Sequence, residues 1–153
     1  MSSSDQIPLE GRLGGIDYGS VRIGVAVCDQ SQQFVNPLET YARRSHTMDS
    51  KYFVELARQE RLVGWVIGLP IHCDGNESPK SLEVREFAEW LSGITGLPHA
   101  MYDERFSSRE ARQLMFETGW GPKKKKKNID RLAAHLILTH FLDSRASHPP
   151  QSL

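Results

Sequence analysis

Asp17, Asp103, Glu104 and Asp130 stand where a protein would display a reacting carboxylate. Asp17 closes the apolar run Leu13-Gly14-Gly15-Ile16 and precedes the turn-forming Tyr18-Gly19-Ser20. The C-terminal ends of strands in α/β sheets are where such folds commonly present their chemistry. A turn aspartate also bonds its own neighbouring backbone with no further role, and spacing alone leaves the two readings level. Asp103 and Glu104 end another apolar run. Neighbours in a strand point to opposite faces, so one of the two can share a site with Asp17, and nothing local chooses between them. Asp130 lies at the head of a helical pattern through Ile129, Leu132, Ala133, Leu136, Ile137, His140 and Phe141. At about 100° per residue it falls on the packed side, with Ala133 and Ile137. A charge aimed at a packed face needs a partner or a metal. A carboxylate in a first helical turn also serves the helix dipole, which is the competing account of Asp130. The small side chains of Ala133 and Ala134 would let this helix approach a sheet closely.

Carboxylates drawn from a first strand, a last strand and a final helix would repel one another and call for a cation. An all-oxygen set suits Mg²⁺ or Mn²⁺. Two such ions about 4 Å apart can activate water and stabilise the leaving oxygen of a phosphodiester. The run Lys123, Lys124, Lys125, Lys126 and Lys127 comes just ahead of Asp130. Such a run is ordinarily a solvated loop, but beside an acidic metal site it would hold the phosphates of a polyanion with salt-dependent affinity. Arg109 and Arg112 extend that patch or are plain surface residues. Other chemistries fit less well. His135 and His140 do not share a helix face, which disfavours a helical zinc pair. His72 and Cys73 are adjacent and point apart, and no serine sits in a G-x-S-x-G elbow. Tyr18, Trp65, Trp90 and Trp120 read as packing residues.

The elements that would position these residues follow from periodicity. Leu13 to Asp17 and Val21 to Asp29 read as strands, the second alternating Val21, Ile23, Val25 and Val27 with Arg22, Gly24, Ala26 and Cys28. Their short turn implies an antiparallel hairpin. A third strand near Phe34 to Thr40 carries Pro37, which suits an edge. Met48 to Arg61 reads as a helix and Leu62 to Leu69 as a strand stopped by Pro70. Ser78-Pro79 opens a helix with Val84, Phe87, Ala88 and Leu91 on its apolar face. A strand at His99 to Glu104, a helix capped by Ser107 and Glu110, and the final helix complete the order βββ-α-β-α-β-α-α. A meander followed by helical crossovers gives an α/β fold: a mixed five-stranded sheet with helices on both faces.

With 153 residues, 39% of them hydrophobic, the chain fits one domain over 12–144 between loose tails, 1–11 and 145–153. Formal net charge is zero, so attraction to a nucleic acid must be local. Cys28 and Cys73 have neither zinc-site spacing nor the number for a disulfide framework, and read as buried thiols of a reducing compartment. No leader pattern or membrane-length apolar run is present, which makes the cytoplasm the expected location.

Gly15-Ile16-Asp17-Tyr18-Gly19-Ser20-Val21-Arg22-Ile23-Gly24-Val25-Ala26 resembles the opening motif of the YqgF family, the Holliday-junction-resolvase-like proteins described as nucleases maturing the small-subunit ribosomal RNA precursor. Val66-Ile67-Gly68-Leu69-Pro70 with Asp74-Gly75, then Asp103-Glu104-Arg105-Phe106-Ser107-Ser108, then Asp130-Arg131-Leu132-Ala133-Ala134 are similar to its later blocks. The blocks occur in order from about Gly15 to Asp143. Val21 stands where the family usually has a lysine, Phe106-Ser107-Ser108 replaces Leu-Thr-Thr, and the lysine run is unusually long. The resemblance implies an RNase H-like fold and a Mg²⁺- or Mn²⁺-dependent endonuclease, an ester-bond hydrolase. It implies Asp17, Glu104 and Asp130 as catalytic and metal-holding residues, with Asp17 bridging the ions and Asp103 in support. Arg22, Arg105 and Lys123 to Lys127 would contact the nucleic acid. The expected substrate is the 5′ end of the 16S ribosomal RNA precursor. The alternatives are branched DNA, a non-catalytic nucleic-acid-binding module, or a nucleotide-binding domain of the actin-like type, for which the chain has room for one of the two domains required.

Overall fold

The computed structural model describes residues 7–70, 78–103 and 122–147, with side chains of the last segment described from 129 to 145. In order, the elements are β1 (Arg12–Asp17), β2 (Arg22–Cys28), β3 (Val35–Ala42), α1 (His46–Gln59), β4 (Leu62–Leu69), α2 (Pro79–Thr95), β5 (His99–Asp103) and α3 (Pro122–Ser147). Glu104, Arg105, Arg109, Arg112, Trp120, His72, Cys73, Asp74 and Gly75, and the helix expected after Ser107, lie outside the described residues.

The strands form one sheet in the order β3-β2-β1-β4-β5. β1 and β2 make the expected antiparallel hairpin and β3 joins β2 antiparallel, while β1–β4 and β4–β5 are parallel. Pro37 lies on the edge strand β3, where its missing N–H is tolerated. The β2–β3 register slips between Val25, opposite Glu39, and Ala26, opposite Pro37.

Strand alternation sorts two cores. Ile16, Ile23, Val25, Trp65, Ile67 and Leu69 face α1 and α2, meeting Phe53, Leu56, Val84, Phe87 and Leu91. Leu13, Cys28, Val66 and Ala100 face α3, meeting Ile137, Leu138 and Phe141. Trp65 is wholly buried, edge-on to Phe53 at 6.1 Å, with its indole N–H donated to Thr95 Oγ1 at 3.1 Å. It is a packing residue, as its sequence setting suggests.

The helix starts follow local chemistry. Ser45 caps α1 by accepting the Met48 N–H, so α1 begins at His46, ahead of the expected Met48. Ser78 and Ser81 form a reciprocal capping box, with Pro79 in the first turn. α3 begins at Pro122, so Lys123 to Lys127 lie on a helix and not in the loop that five like charges suggest. Proline is pre-organised for a first turn and lysine is a good helix former. The run contains one i,i+4 pair, Lys123 and Lys127, and such like-charge pairs cost only about 0.2–0.5 kcal/mol each.

Packing reaches past both ends of the 12–144 span. Ile7 is buried in the α3-side core, and Arg145 Nη2 donates to the Ile7 and Pro8 carbonyls at 3.1 and 3.2 Å. No helix among the described residues is long and apolar enough to cross a membrane.

Candidate active site

Asp17 ends β1 on the same face as Leu13 and Gly15, the face that α3 covers. Its cross-strand partner is Gly24 of β2. A Cβ built on Gly24 would stand 1.9 Å from the carbonyl oxygen of Asp130, and one on Gly15 would stand 3.0 Å from that of Ala134. The two glycines therefore let the backbone of α3 lie directly on β1 and β2, and the fully buried Ala134 offers no bulk to lift it. Cross-strand partners are about 5 Å apart. Asp17 and the backbone of Asp130 thus stand at the same end of the first hairpin, on the same face of the sheet. Asp130 is the ninth residue of α3, beyond the first turn over which the helix dipole acts, so the dipole account of this carboxylate fails. Its Oδ2 instead accepts from Arg22 Nε at 3.0 Å. Arg22 is two residues from Gly24 on β2 and shares its face.

β5 divides the two neighbouring acids. Asp103 pairs with Leu69 and shares the α1/α2 side with Leu69 and Met101. Tyr102 pairs with Gly68 and packs on the α3 side. Asp103 is therefore on the face opposite Asp17, and Glu104 stays the sequence candidate for a third carboxylate. No three His, Cys, Asp or Glu side chains among the described residues are placed to hold a metal. Two carboxylates, Asp17 and Asp130, stand at this end of the hairpin, and an all-oxygen donor set of that kind would suit Mg²⁺ or Mn²⁺.

The residue after Asp17 is pinned to the opposite face. Tyr18 donates its hydroxyl to Glu83 Oε1 at 2.7 Å and accepts from Arg43 Nη1 at 3.1 Å. Burial and the Glu83 carboxylate push the Tyr18 hydroxyl pKa up. Arg43 Nε reaches Asp49 Oδ2 at 3.2 Å, while the Tyr41 hydroxyl and the Arg44 N–H donate to Asp49 Oδ1 at 2.7 and 2.9 Å. Burial alone would raise the Asp49 carboxyl, but the Arg44 N–H, the Tyr41 hydroxyl and the Arg43 guanidinium together hold it below its ordinary value. Sequence reading passes over this network. Its signal is the spacing of Asp49, Phe53 and Leu56 at i, i+4 and i+7, which sets a carboxylate on the apolar stripe of α1. Cys28 is a buried thiol whose pKa is raised by burial, which suits packing and not nucleophilic chemistry.

The family model described as a Holliday junction resolvase, RuvX, matches residues 11–144, a segment that includes Asp17 and Asp130. The chain belongs to the RuvX family. A relative from Rhodopirellula baltica, named "Putative pre-16S rRNA nuclease", is 45% identical over 143 residues, covering 94% of this chain and 83% of that one. One from Symbiobacterium thermophilum with the same name is 38% identical over 92% of this chain and 98% of its own. Among solved structures, T. thermophilus RuvC in complex with a Holliday junction superposes at a TM-score of 0.57 and 18% identity, covering 90% of this chain and 96% of that one. Fowlpox virus resolvase with junction DNA superposes at 0.58 and 8% identity, covering 87% and 97%. At such identities these likenesses establish the fold of this RuvX-family chain, which is RNase H-like.

Proposed function

We propose that this protein is a divalent-metal-dependent endonuclease whose substrate is the 16S ribosomal RNA precursor. The seating of the Asp130 backbone on Gly24, the cross-strand partner of Asp17, supports the reading, because two carboxylates at one end of a hairpin would suit an oxygen-ligated cation. Glu104 is proposed as the third ligand, next in sequence to an aspartate that faces the other way. A cation held there, Mg²⁺ or Mn²⁺, supplies Lewis-acid stabilisation of the scissile phosphate and lowers the pKa of water. The chain's own residues do the rest. Asp17 and Asp130 fix the reacting end of the hairpin, and Tyr18, locked by Glu83 and Arg43, keeps the turn after Asp17 from drifting. Arg22, Arg105 and some lysines of the run Lys123 to Lys127 hold the strand by its phosphates. In the hydrolysis, water oxygen bonds to phosphorus, one ester P–O bond breaks, and the leaving oxygen takes up a proton.

The names of the curated relatives favour ribosomal RNA precursor, and the family description favours branched DNA as the second reading. Purified protein would be incubated with an end-labelled precursor fragment and with a four-way DNA junction, under Mg²⁺, Mn²⁺ or chelator. We expect metal-dependent cutting of the RNA. Asp17→Asn or Asp130→Asn should slow it at least about 100-fold, a loss of about 2.7 kcal/mol of transition-state stabilisation, with melting unchanged. Cutting confined to the junction would move the substrate to DNA, and binding without cutting in every condition would sink the nuclease.

A further inference from the structure

We propose that Arg22 is a counter-ion latch, holding Asp130 in the metal-free protein and passing to a substrate phosphate once a divalent cation takes that carboxylate. The inference rests on the reading of Asp17 and Asp130 as ligands. Three observations carry it. Arg22 Nε lies 3.0 Å from Asp130 Oδ2, with 46% of the arginine side chain exposed against 22% of the aspartate. The carboxylate belongs to a helix whose backbone is seated on Gly24, whereas the guanidinium ends a long side chain more open to solvent. Asp17 pairs with Gly24, two residues from Arg22, so Arg22 starts only about 7–8 Å diagonally from Asp17, Cα to Cα. A guanidinium bound to Asp130 so near the end of β1 would meet a cation that takes both Asp17 and Asp130. Two cations on one carboxylate repel, so they compete for it.

The chemistry of the displaced group supplies the second half. A guanidinium fork matches phosphate as well as carboxylate, so the head released from Asp130 has its next partner in the nucleic-acid strand. In the metal-free protein the latch relieves repulsion between the two acids. When metal loads, the same charge becomes available to substrate, so strand binding is coupled to metal occupancy.

The test is Mn²⁺ binding to the full-length protein without nucleic acid, followed by calorimetry for wild type, Arg22→Met, Arg22→Lys, Asp17→Asn and Asp130→Asn. Losing the guanidinium should tighten Mn²⁺ binding by about five- to tenfold in Arg22→Met. Arg22→Lys, which keeps the charge on a shorter reach, should fall between wild type and Arg22→Met. The two Asn variants should weaken binding about tenfold or more. A fluorescein-labelled ribosomal RNA precursor fragment reads the second half. With Ca²⁺ replacing Mn²⁺, Arg22→Met should bind more weakly than wild type and with a salt slope lower by about 0.7–0.9. In chelator the two proteins should bind alike. Mn²⁺ affinity unchanged or reduced in Arg22→Met, while the Asn variants still weaken it, overturns the latch and leaves the ligand reading standing. Indifference to both Asn variants overturns the ligands and the latch together. An Arg22→Met defect in RNA binding that is equal with and without cation overturns the transfer to phosphate.

Discussion

At Gly24 of β2 a side chain and the final helix would claim the same space. Its missing Cβ lets the backbone of Asp130 lie against β2 beside the end of β1, since an added methyl would stand 1.9 Å from the Asp130 carbonyl oxygen. Backbone, unlike the end of a long side chain, cannot give way cheaply. Gly24→Ala should therefore cost about 1–3 kcal/mol or more of stability, the scale of overpacking a filled core. It should also reduce cleavage beyond what that loss explains, by moving Asp130 away from Asp17. Gly93 is the control. It is exposed within α2, and an added Cβ there meets nothing within 4 Å. Gly93→Ala should raise stability by about 0.5–1 kcal/mol through helix propensity and leave cleavage unchanged. Urea titrations of the three proteins beside single-turnover cleavage separate the two effects. Equal stability of Gly24→Ala and wild type would show that α3 can lift off β2 at no cost, and that Gly24 does not hold Asp130 in place.

Between β3 and α1 a single buried carboxylate serves as the joint. Asp49, 2% exposed, binds the Tyr41 hydroxyl at the end of β3, the Arg43 guanidinium and the Arg44 N–H. Truncating it leaves the part-buried Arg43 without its counter-charge and strips the Tyr41 hydroxyl and the Arg44 N–H of their acceptor, so Asp49→Ala should cost about 3–5 kcal/mol. The pH dependence follows from the lowered folded pKa. A depressed carboxyl contributes stability above its unfolded pKa, near 3.9, and loses it as pH falls through the folded value. The stability gap between wild type and Asp49→Ala should thus be full at neutral pH and shrink below about pH 4. A gap that stays constant to the acid limit would mean that Asp49 acts through packing and not through charge. Elements of this kind mark how far the sequence could be read. Strand alternation, the Ser78-Pro79 start and the short Tyr18-Gly19-Ser20 turn encode their geometry locally, so the sheet, the edge position of β3 and the helical faces are legible. Asp130 is legible as a charge on a packed face, and its dipole reading fails because the helix start lies upstream, at Pro122. The Arg22–Asp130 pair and the Asp49 network join residues from separate elements, and only tertiary packing brings them together.

Across the whole molecule the formal net charge is zero, so no long-range field draws a polyanion in and the basic residues must act where they stand. The placement of Lys123 to Lys127 at the start of α3 changes what they can do. In a loop, five adjacent lysines could all turn towards one strand. Successive helical positions differ by about 100°, so if α3 keeps its helix on binding we expect only two or three of the five to meet the same strand. Every phosphate left without its lysine lowers the slope of log affinity against log salt by about 0.7–0.9. Replacing all five lysines with glutamine should therefore lower the slope by about 1.5–2.5, not by the four or so that a loop would give. Single Lys→Gln substitutions should be unequal, the largest effects recurring three or four residues apart and the others near zero. Anisotropy of a labelled ribosomal RNA precursor fragment over a salt series reads both quantities. Five equal decrements would mean that the lysines engage the strand from an unwound segment, and that the helix beginning at Pro122 melts when nucleic acid binds.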